Sequence, residues 1–256
     1  MKIEFASKVE KGIAPTNDDR ILVDGKIIDQ SSSFGVVDIP TLVAVCDGCG
    51  GYAGGGIAAH TVLEILSSEE VTNLLDINYL TKTLEKCQKK IMTLKQETEQ
   101  YSAMCTTIAG CLFSCNSNII FHSGDSRVYR LDKFGLARMT NDHSIVQELI
   151  NSGEISLNEA KNHPQRNVIT NCIGVNVFSP EIYVSHSPIW PGEKYLFCSD
   201  GLWDSLEDSR ITEILSSNIS IQEMTDIMVN EAIRNGSDDN ISVCICSYNV
   251  NKEVTK

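Results

Sequence analysis

With 256 residues, the chain is long for one domain and short for two, and its 42% hydrophobic, 21% charged composition excludes a disordered or collagenous protein. Its 34 acidic against 21 basic residues give a formal charge of −13, which leaves no broad basic footprint for nucleic acid and argues against docking on an anionic membrane. In chain order, a strand over 2–8 precedes the turn-rich Lys11-Gly12-Ile13-Ala14-Pro15-Thr16-Asn17-Asp18-Asp19, and strands follow at 20–23 and 41–46. Gly54-Gly55-Gly56 opens a helix to about Leu66, and Leu80, Leu84, Cys87, Ile91 and Leu94 space out a second over 79–97. Short strands are expected at 106–114, 118–123, 127–131 and 136–139, with turns at Asn116-Ser117 and Asp132-Lys133-Phe134-Gly135. A short helix over 144–151 leads into a polar stretch to about Asn171. Strands at 182–185 and 194–198, helices at 210–216 and 221–234, and a final strand at 241–247 complete the chain. Hairpins separated by helix pairs predict an α+β fold with antiparallel sheets, in a single domain over 1–250 with a tail at 251–256.

Met1-Lys2-Ile3-Glu4-Phe5 puts charge inside the first apolar stretch, so it does not read as a secretory leader, and no apolar run approaches the roughly 18 residues of a membrane span. Cys46, Cys111, Cys198, Cys244 and Cys246 lie in apolar stretches, where a free thiol acts as a small hydrophobe. Together these features point to a reducing cytoplasm.

The informative pattern is where the aspartates fall. Two apolar runs close alike, Val45-Cys46 into Asp47-Gly48 and Phe197-Cys198-Ser199 into Asp200-Gly201. Asp238-Asp239-Asn240 precedes the last strand, Asp125 sits in a turn between two strands, and Asp18-Asp19 precede another. Any one of these is explained as turn chemistry. Five together, drawn to one end of a sandwich, would repel unless cations held them, which makes a hard-oxygen site for Mg²⁺ or Mn²⁺.

Asn17-Asp18-Asp19, Val45-Cys46-Asp47-Gly48-Cys49-Gly50-Gly51, Gly124-Asp125-Ser126-Arg127, Asp142-His143-Ser144, Cys198-Ser199-Asp200-Gly201-Leu202-Trp203-Asp204 and Asp239-Asn240-Ile241-Ser242-Val243 occur in that order. The series resembles the metal-dependent, 2C-type serine/threonine protein phosphatases in their bacterial, single-domain style. The resemblance runs from about residue 3 to 247. It implies a four-layer α-β-β-α sandwich, two antiparallel sheets flanked by helix pairs, with two metal ions at one end. By position, Asp47 would bridge the ions, the Gly48 carbonyl would bind one, and Asp200 and Asp239 would complete the other. Asp18 and Asp19 would act through water, and Asp125, Asp200 and Asp204 would hold a third, weaker ion. The implied reaction is attack on phosphorus by a water acidified between divalent cations, so no nucleophilic side chain is required. The implied partners are phosphoproteins and a cognate serine/threonine kinase, with the chain acting as a monomer.

The motif departs from the family at Ala14, where a phosphate-binding arginine is usual, which leaves substrate phosphate to the metals or to another cation such as Arg20 or Arg166, or leaves its binding weak. Cys49 stands where animal members carry histidine and bacterial members usually methionine, and Asp18 replaces a commoner glutamate. His163-Pro164-Gln165-Arg166-Asn167 resembles the bacterial flap, expected over about 152–171.

Two other functions have some support in the sequence. A phosphoprotein-binding module without turnover is suggested only by Ala14. A dinucleotide-binding oxidoreductase is suggested by Gly48-Cys49-Gly50-Gly51-Tyr52-Ala53, but Asp47 would face the pyrophosphate and the next element is a helix, not a parallel strand. Cys46-x-x-Cys49 lacks the second pair a structural zinc site wants, and the five histidines show no H-x₃-H spacing. Asp142-His143-Ser144 are too close in sequence to form a triad. Trp190 and Trp203 are expected in the core.

Overall fold

Apolar runs of strand length and amphipathic runs of helix length separate along the chain as their periodicity predicts. The structure, a computed structural model, describes residues 1–49, 54–97, 99–186, 190 and 192–249. Its strands are β1 (Lys2–Glu10), β2 (Arg20–Val23), β3 (Lys26–Ile28), β4 (Ser32–Asp38), β5 (Thr41–Cys46), β6 (Gly48–Cys49), β7 (Cys105–Thr106), β8 (Ile108–Phe113), β9 (Asn118–Ser123), β10 (Arg127–Asp132), β11 (Gly135–Arg138), β12 (Glu181–Ser185), β13 (Lys194–Cys198) and β14 (Ile241–Asn249). Its helices are α1 (Gly55–Ser67), α2 (Val71–Leu74), α3 (Ile77–Glu97), α4 (Ile145–Asn151), α5 (Leu157–Ala160), α6 (Asp200–Trp203), α7 (Asp208–Ser216) and α8 (Ile221–Arg234).

One six-stranded sheet runs β11-β10-β13-β14-β1-β4, and a second runs β12-β9-β8-β5-β2-β3. Every ladder between these strands is antiparallel. The facing sides enclose Ile3, Val43, Val45, Phe113, Tyr195, Phe197 and Tyr248, with the Phe113 ring edge-on to Tyr195 at 5.1 Å between centroids. α1 and α3 cover the outer face of the second sheet, and α7 and α8 that of the first. The result is the expected α-β-β-α sandwich. Being covered on both faces explains why β5 and β8 are apolar at consecutive positions. In β14, Val243 and Ile245 face α8 while Cys244 and Cys246 face the other sheet.

Three strands have no counterpart in the sequence expectations: β3, β4 and the two-residue β6. The β2–β3 hairpin turns on Asp24-Gly25, both at positive φ (48° and 75°), the mirror-image turn that suits strand twist. β4 is an edge strand whose Phe34 and Val36 point outward, so its apolar residues do not mark a buried face. The expected strand at 106–114 is broken at Thr107, and the polar stretch after Asn151 contains α5, closed by a Ser156–Glu159 capping box. Trp190 and Trp203 are half-buried rather than in the core. Trp203 lies under the Arg127 guanidinium, 3.6 Å from the ring centre, and its Nε1 donates to the Asp125 carbonyl at 3.0 Å. Residues 251–256 and Gly50 to Ala53 of the glycine loop lie outside the described residues.

Candidate metal centre

The sandwich brings strand ends from both sheets to one mouth. Asp47 follows β5, Asp200 follows β13 and opens α6, and Asp239 precedes β14. Asp125 lies in the β9–β10 turn, and Asp18 and Asp19 lead into β2. Five of these carboxyls influence one another. Burial raises the Asp47 pKa well above the carboxylate range, and the charges of Asp19, Asp200, Asp125 and Asp239 push it further. Burial, then Asp125, Asp239 and Asp19, does the same to Asp200. Asp19 rises to about 7, chiefly through burial, against the hydrogen bond from Ser199, which lowers it. Asp125 also rises to about 7, through burial and then the Asp142 charge.

The backbone around these groups is firmly held. The Asp47 N–H donates to Thr107 Oγ1 at 3.0 Å, while its carbonyl accepts from the Thr107 N–H at 2.8 Å and Thr106 Oγ1 at 2.9 Å. Thr107 Oγ1 in turn lies 2.7 Å from Ser126 Oγ, linking Asp47 to the Asp125 turn. Gly48 packs against the first residue of α1. A Cβ on Gly48 would overlap the Gly55 backbone, and one on Gly55 would overlap the Gly48 carbonyl. The same approach sets the Asp18 carboxylate over the α1 N-terminus, where the helix dipole favours negative charge.

The Ser199 hydroxyl donates to Asp19 Oδ2 at 2.7 Å and accepts from the Ser242 N–H at 3.0 Å, joining the two sheets. Asn240 is buried; its Oδ1 accepts from the Asp18 N–H at 2.7 Å, and its Nδ2 donates to the Lys11 and Thr16 carbonyls, each at 2.9 Å. Neither Ser199 nor Asn240 was singled out from sequence, although both sit inside the aspartate motifs. Replacing Asn240 by Ala strands three backbone groups, so about 2–4 kcal/mol should be lost in urea denaturation. A loss within error would make the Asn240 contacts dispensable.

The acid cluster fits divalent cations on its own chemistry. Its donors are all hard oxygens, and Asp125 Oδ1 and Asp200 Oδ1 are buried with no hydrogen-bond partner.

The two candidate phosphate cations differ. Arg20 Nη1 donates to the carbonyls of Asn17 (2.8 Å) and Asp19 (2.6 Å), and Arg20 makes no ion pair among the described residues. It lines a cleft of about 550 Å³ with Lys11, Asp18 and His60. Arg166 is instead paired with Asp204, at 2.9 and 3.2 Å. Asp204 is exposed and paired with Arg166, and its charge is not among those that act on Asp19, Asp47, Asp125 and Asp200. Lys11 Nζ donates to the Ala14 carbonyl at 2.5 Å, placing a cation beside the position that lacks the usual arginine.

Two side-chain groupings emerge only in three dimensions. The C-x-x-C pair divides: Cys46 faces the core, while Cys49 Sγ meets Cys105 Sγ at 2.8 Å, with Cys172 also close. His122 and His143, remote in sequence, stack at 4.7 Å beside Glu181. The Gly124 N–H donates to His143 Nδ1 at 3.1 Å, so Nε2 carries the proton and is directed to Glu181 at 3.4 Å. The pair thus ties the β9–β10 turn to β12. Asp142 is bound by Arg127 and Arg138, and Ser144 caps α4, so this tripeptide forms no triad.

A double antiparallel sandwich with buried carboxylates converging at its mouth is the construction of a divalent-cation-dependent hydrolase. The curated and structural relatives make the class specific. The chain is 32% identical over 223 residues, 85% of its own length and 88% of the relative's, to the serine/threonine phosphatase Stp of Listeria monocytogenes. It superposes on the Mycobacterium tuberculosis serine/threonine phosphatase PstP/Ppp with a TM-score of 0.82 and 27% identity, covering 96% of this chain and 99% of that one. The catalytic domain of PstP solved with two manganese ions gives 0.79 and 26%, with the same coverage. No family model matches the chain. The chain belongs to the 2C-type family of serine/threonine protein phosphatases.

Proposed function

We propose that this chain hydrolyses phosphoserine and phosphothreonine in proteins, with two divalent cations, Mg²⁺ or Mn²⁺, held by Asp47, the Gly48 carbonyl, Asp200 and Asp239. The observation that carries this reading is the crowding of buried carboxyls whose Asp125 and Asp200 oxygens lack partners. Ions bound there supply an acidified water and neutralise charge at the phosphoryl group. The chain's own residues do the rest. The Thr106 and Thr107 bonds hold Asp47 in place, and the Ser199 hydroxyl orients Asp19. Asp18 and Asp19 would act through water, and Asp125 would serve a third, weaker ion. Arg20, with Lys11 beside it, is the cation left to receive substrate phosphate in the cleft, and Arg166 is withdrawn to Asp204.

The segment 152–171 acts as a flap; it contributes Arg166 and Leu157 to a groove of about 610 Å³ shared with Trp203 and Asp204. The phosphoprotein comes from a cognate serine/threonine kinase, and the chain works as a cytoplasmic monomer without nucleic-acid or membrane partners. No helix among the described residues is long and apolar enough to cross a membrane.

Phosphate release from a phosphothreonine peptide should require added Mn²⁺ and cease with EDTA. Turnover in EDTA would overturn the metal reading, and metal binding without turnover would favour a binding module. Arg20→Ala is expected to raise KM by about tenfold with a smaller change in kcat, because a charge-assisted phosphate contact is worth roughly 1.5–3 kcal/mol. Arg166→Ala should leave KM within about twofold, since exposed ion pairs contribute little. Equal effects from the two variants would remove Arg20 from the phosphate site.

A further inference from the structure

A second donor cluster, of opposite chemistry, lies beside the carboxylates. Cys49 and Cys105 are direct partners in the two-stranded β6–β7 ladder, with Sγ atoms 2.8 Å apart. Thr106 and Ile173 exchange both backbone hydrogen bonds at 2.9 Å, and this bridge brings Cys172 alongside Cys105. All three sulfurs lie within 4.8 Å of one another, and none is in a disulfide. Cys172 is 2% exposed, while Cys49 and Cys105 are half-buried.

Among the described residues no other three cysteines converge: Cys244 and Cys246 approach only as a pair, 4.0 Å between sulfurs, and Cys115 is exposed. A tetrahedral ion with Zn–S bonds of ~2.3 Å needs its sulfurs about 3.8 Å apart; with all three sulfurs already within 4.8 Å of one another, Cys49 and Cys105, at 2.8 Å, need only move apart to admit it. Lys95, whose Nζ donates to the Gly174 carbonyl at 2.6 Å, places a positive charge near Cys105, offsetting the excess charge of three thiolates on one dication. Thiolates select soft ions, whereas Mg²⁺ and Mn²⁺ prefer the carboxylates, so the two clusters need not compete.

We propose that Cys49, Cys105 and Cys172 form a second metal site, distinct from the carboxylate centre, that takes one thiophilic d¹⁰ cation of the Zn²⁺ type. Among the described residues no fourth cysteine, histidine or carboxylate completes the group, which leaves the fourth position to water or an external ligand. The ion would pin Cys49, and through it the short ladder that runs on from Asp47 and Gly48.

Full-length protein, reduced and stripped with chelator, is titrated with Co²⁺ in excess Mg²⁺, and sulfur-to-cobalt charge-transfer absorption is recorded. The expected result is a band saturating at one equivalent and displaced by Zn²⁺. Cys49→Ser and Cys172→Ala should each abolish the band and weaken Zn²⁺ binding by about tenfold or more. Cys115→Ser, at an exposed cysteine outside the cluster, should leave both unchanged. Circular dichroism verifies folding; should Cys172→Ala not fold, the half-buried Cys49→Ser decides. Absence of the band in folded wild type, or its survival in Cys49→Ser, overturns the site. So does a Cys49–Cys105 disulfide in protein purified without oxygen, which would make the pair a redox couple with Cys172 left over.

Discussion

Asp200→Asn is expected to lower phosphatase turnover by about a hundredfold or more while raising the melting temperature of the metal-free protein. The two effects share one cause. Asp200 is crowded by Asp125, Asp239 and Asp19, and its Oδ1 has no hydrogen-bond partner. Burial and those neighbouring charges hold its carboxyl protonated in the stripped protein, which destabilises the fold near neutral pH; the amide keeps the shape and cannot ionise, so that cost disappears while a ligand is lost in the loaded protein. A relief of about 1 kcal/mol corresponds to roughly 2–4 °C at this chain length. Calorimetry with EDTA and with Mn²⁺, beside peptide turnover, reads both effects. A melting temperature that falls equally in both conditions would show an ordinary packing role and remove Asp200 from the metal centre.

The second large effect is on pH dependence. Asp19 and Asp125 titrate at about 7 when folded, against about 3.9 in an unfolded chain. Burial is the main cause for both; Asp239 adds to it for Asp19 and Asp142 for Asp125, while Arg20 and Arg127 oppose it. Between these values the folded protein holds protons that the unfolded chain has released. Metal-free stability should therefore be full below about pH 4 and fall until about pH 7, at up to about 1.4 kcal/mol per pH unit for each proton held. Saturating Mn²⁺ should reverse the slope, since the ion displaces those protons and binds more tightly as pH rises. Urea denaturation at pH 5 and pH 7.5, with EDTA and with Mn²⁺, checks this. Parallel pH profiles in the two conditions would contradict it.

Much of this was legible in the sequence. The limits of the strands 20–23, 41–46, 118–123 and 194–198 and of the helix 221–234 coincide with β2, β5, β9, β13 and α8, because each has a sharp apolar period and a clear stop. The aspartate motifs could be placed at strand ends for the same reason. Contacts between remote residues were not legible. Cys49, Cys105 and Cys172 are spaced like no metal motif, and only the β6–β7 ladder and the Thr106–Ile173 bridge unite them. Arg166 carried the right charge for phosphate, but its partner Asp204 lies on another loop. The Asp24-Gly25 turn was a readable hairpin signal that went unused, whereas β4 had none, since its large apolar side chains face solvent.

The carboxylates at the mouth come from opposite sheets, Asp47 from the end of β5 and Asp200 from the end of β13. More than half the sequence separates them. Cations shared across that gap would bind only once both sheets are in place, so they would stabilise the assembled mouth by mass action and their removal would cost stability first there. The opposite end of the sandwich has no such need, because Phe113, Tyr195 and Tyr248 interlock there as an aromatic cluster. Chelation should therefore loosen the molecule directionally, with amide hydrogen exchange accelerating first at the strand ends around Asp47 and Asp200 and last around Phe113.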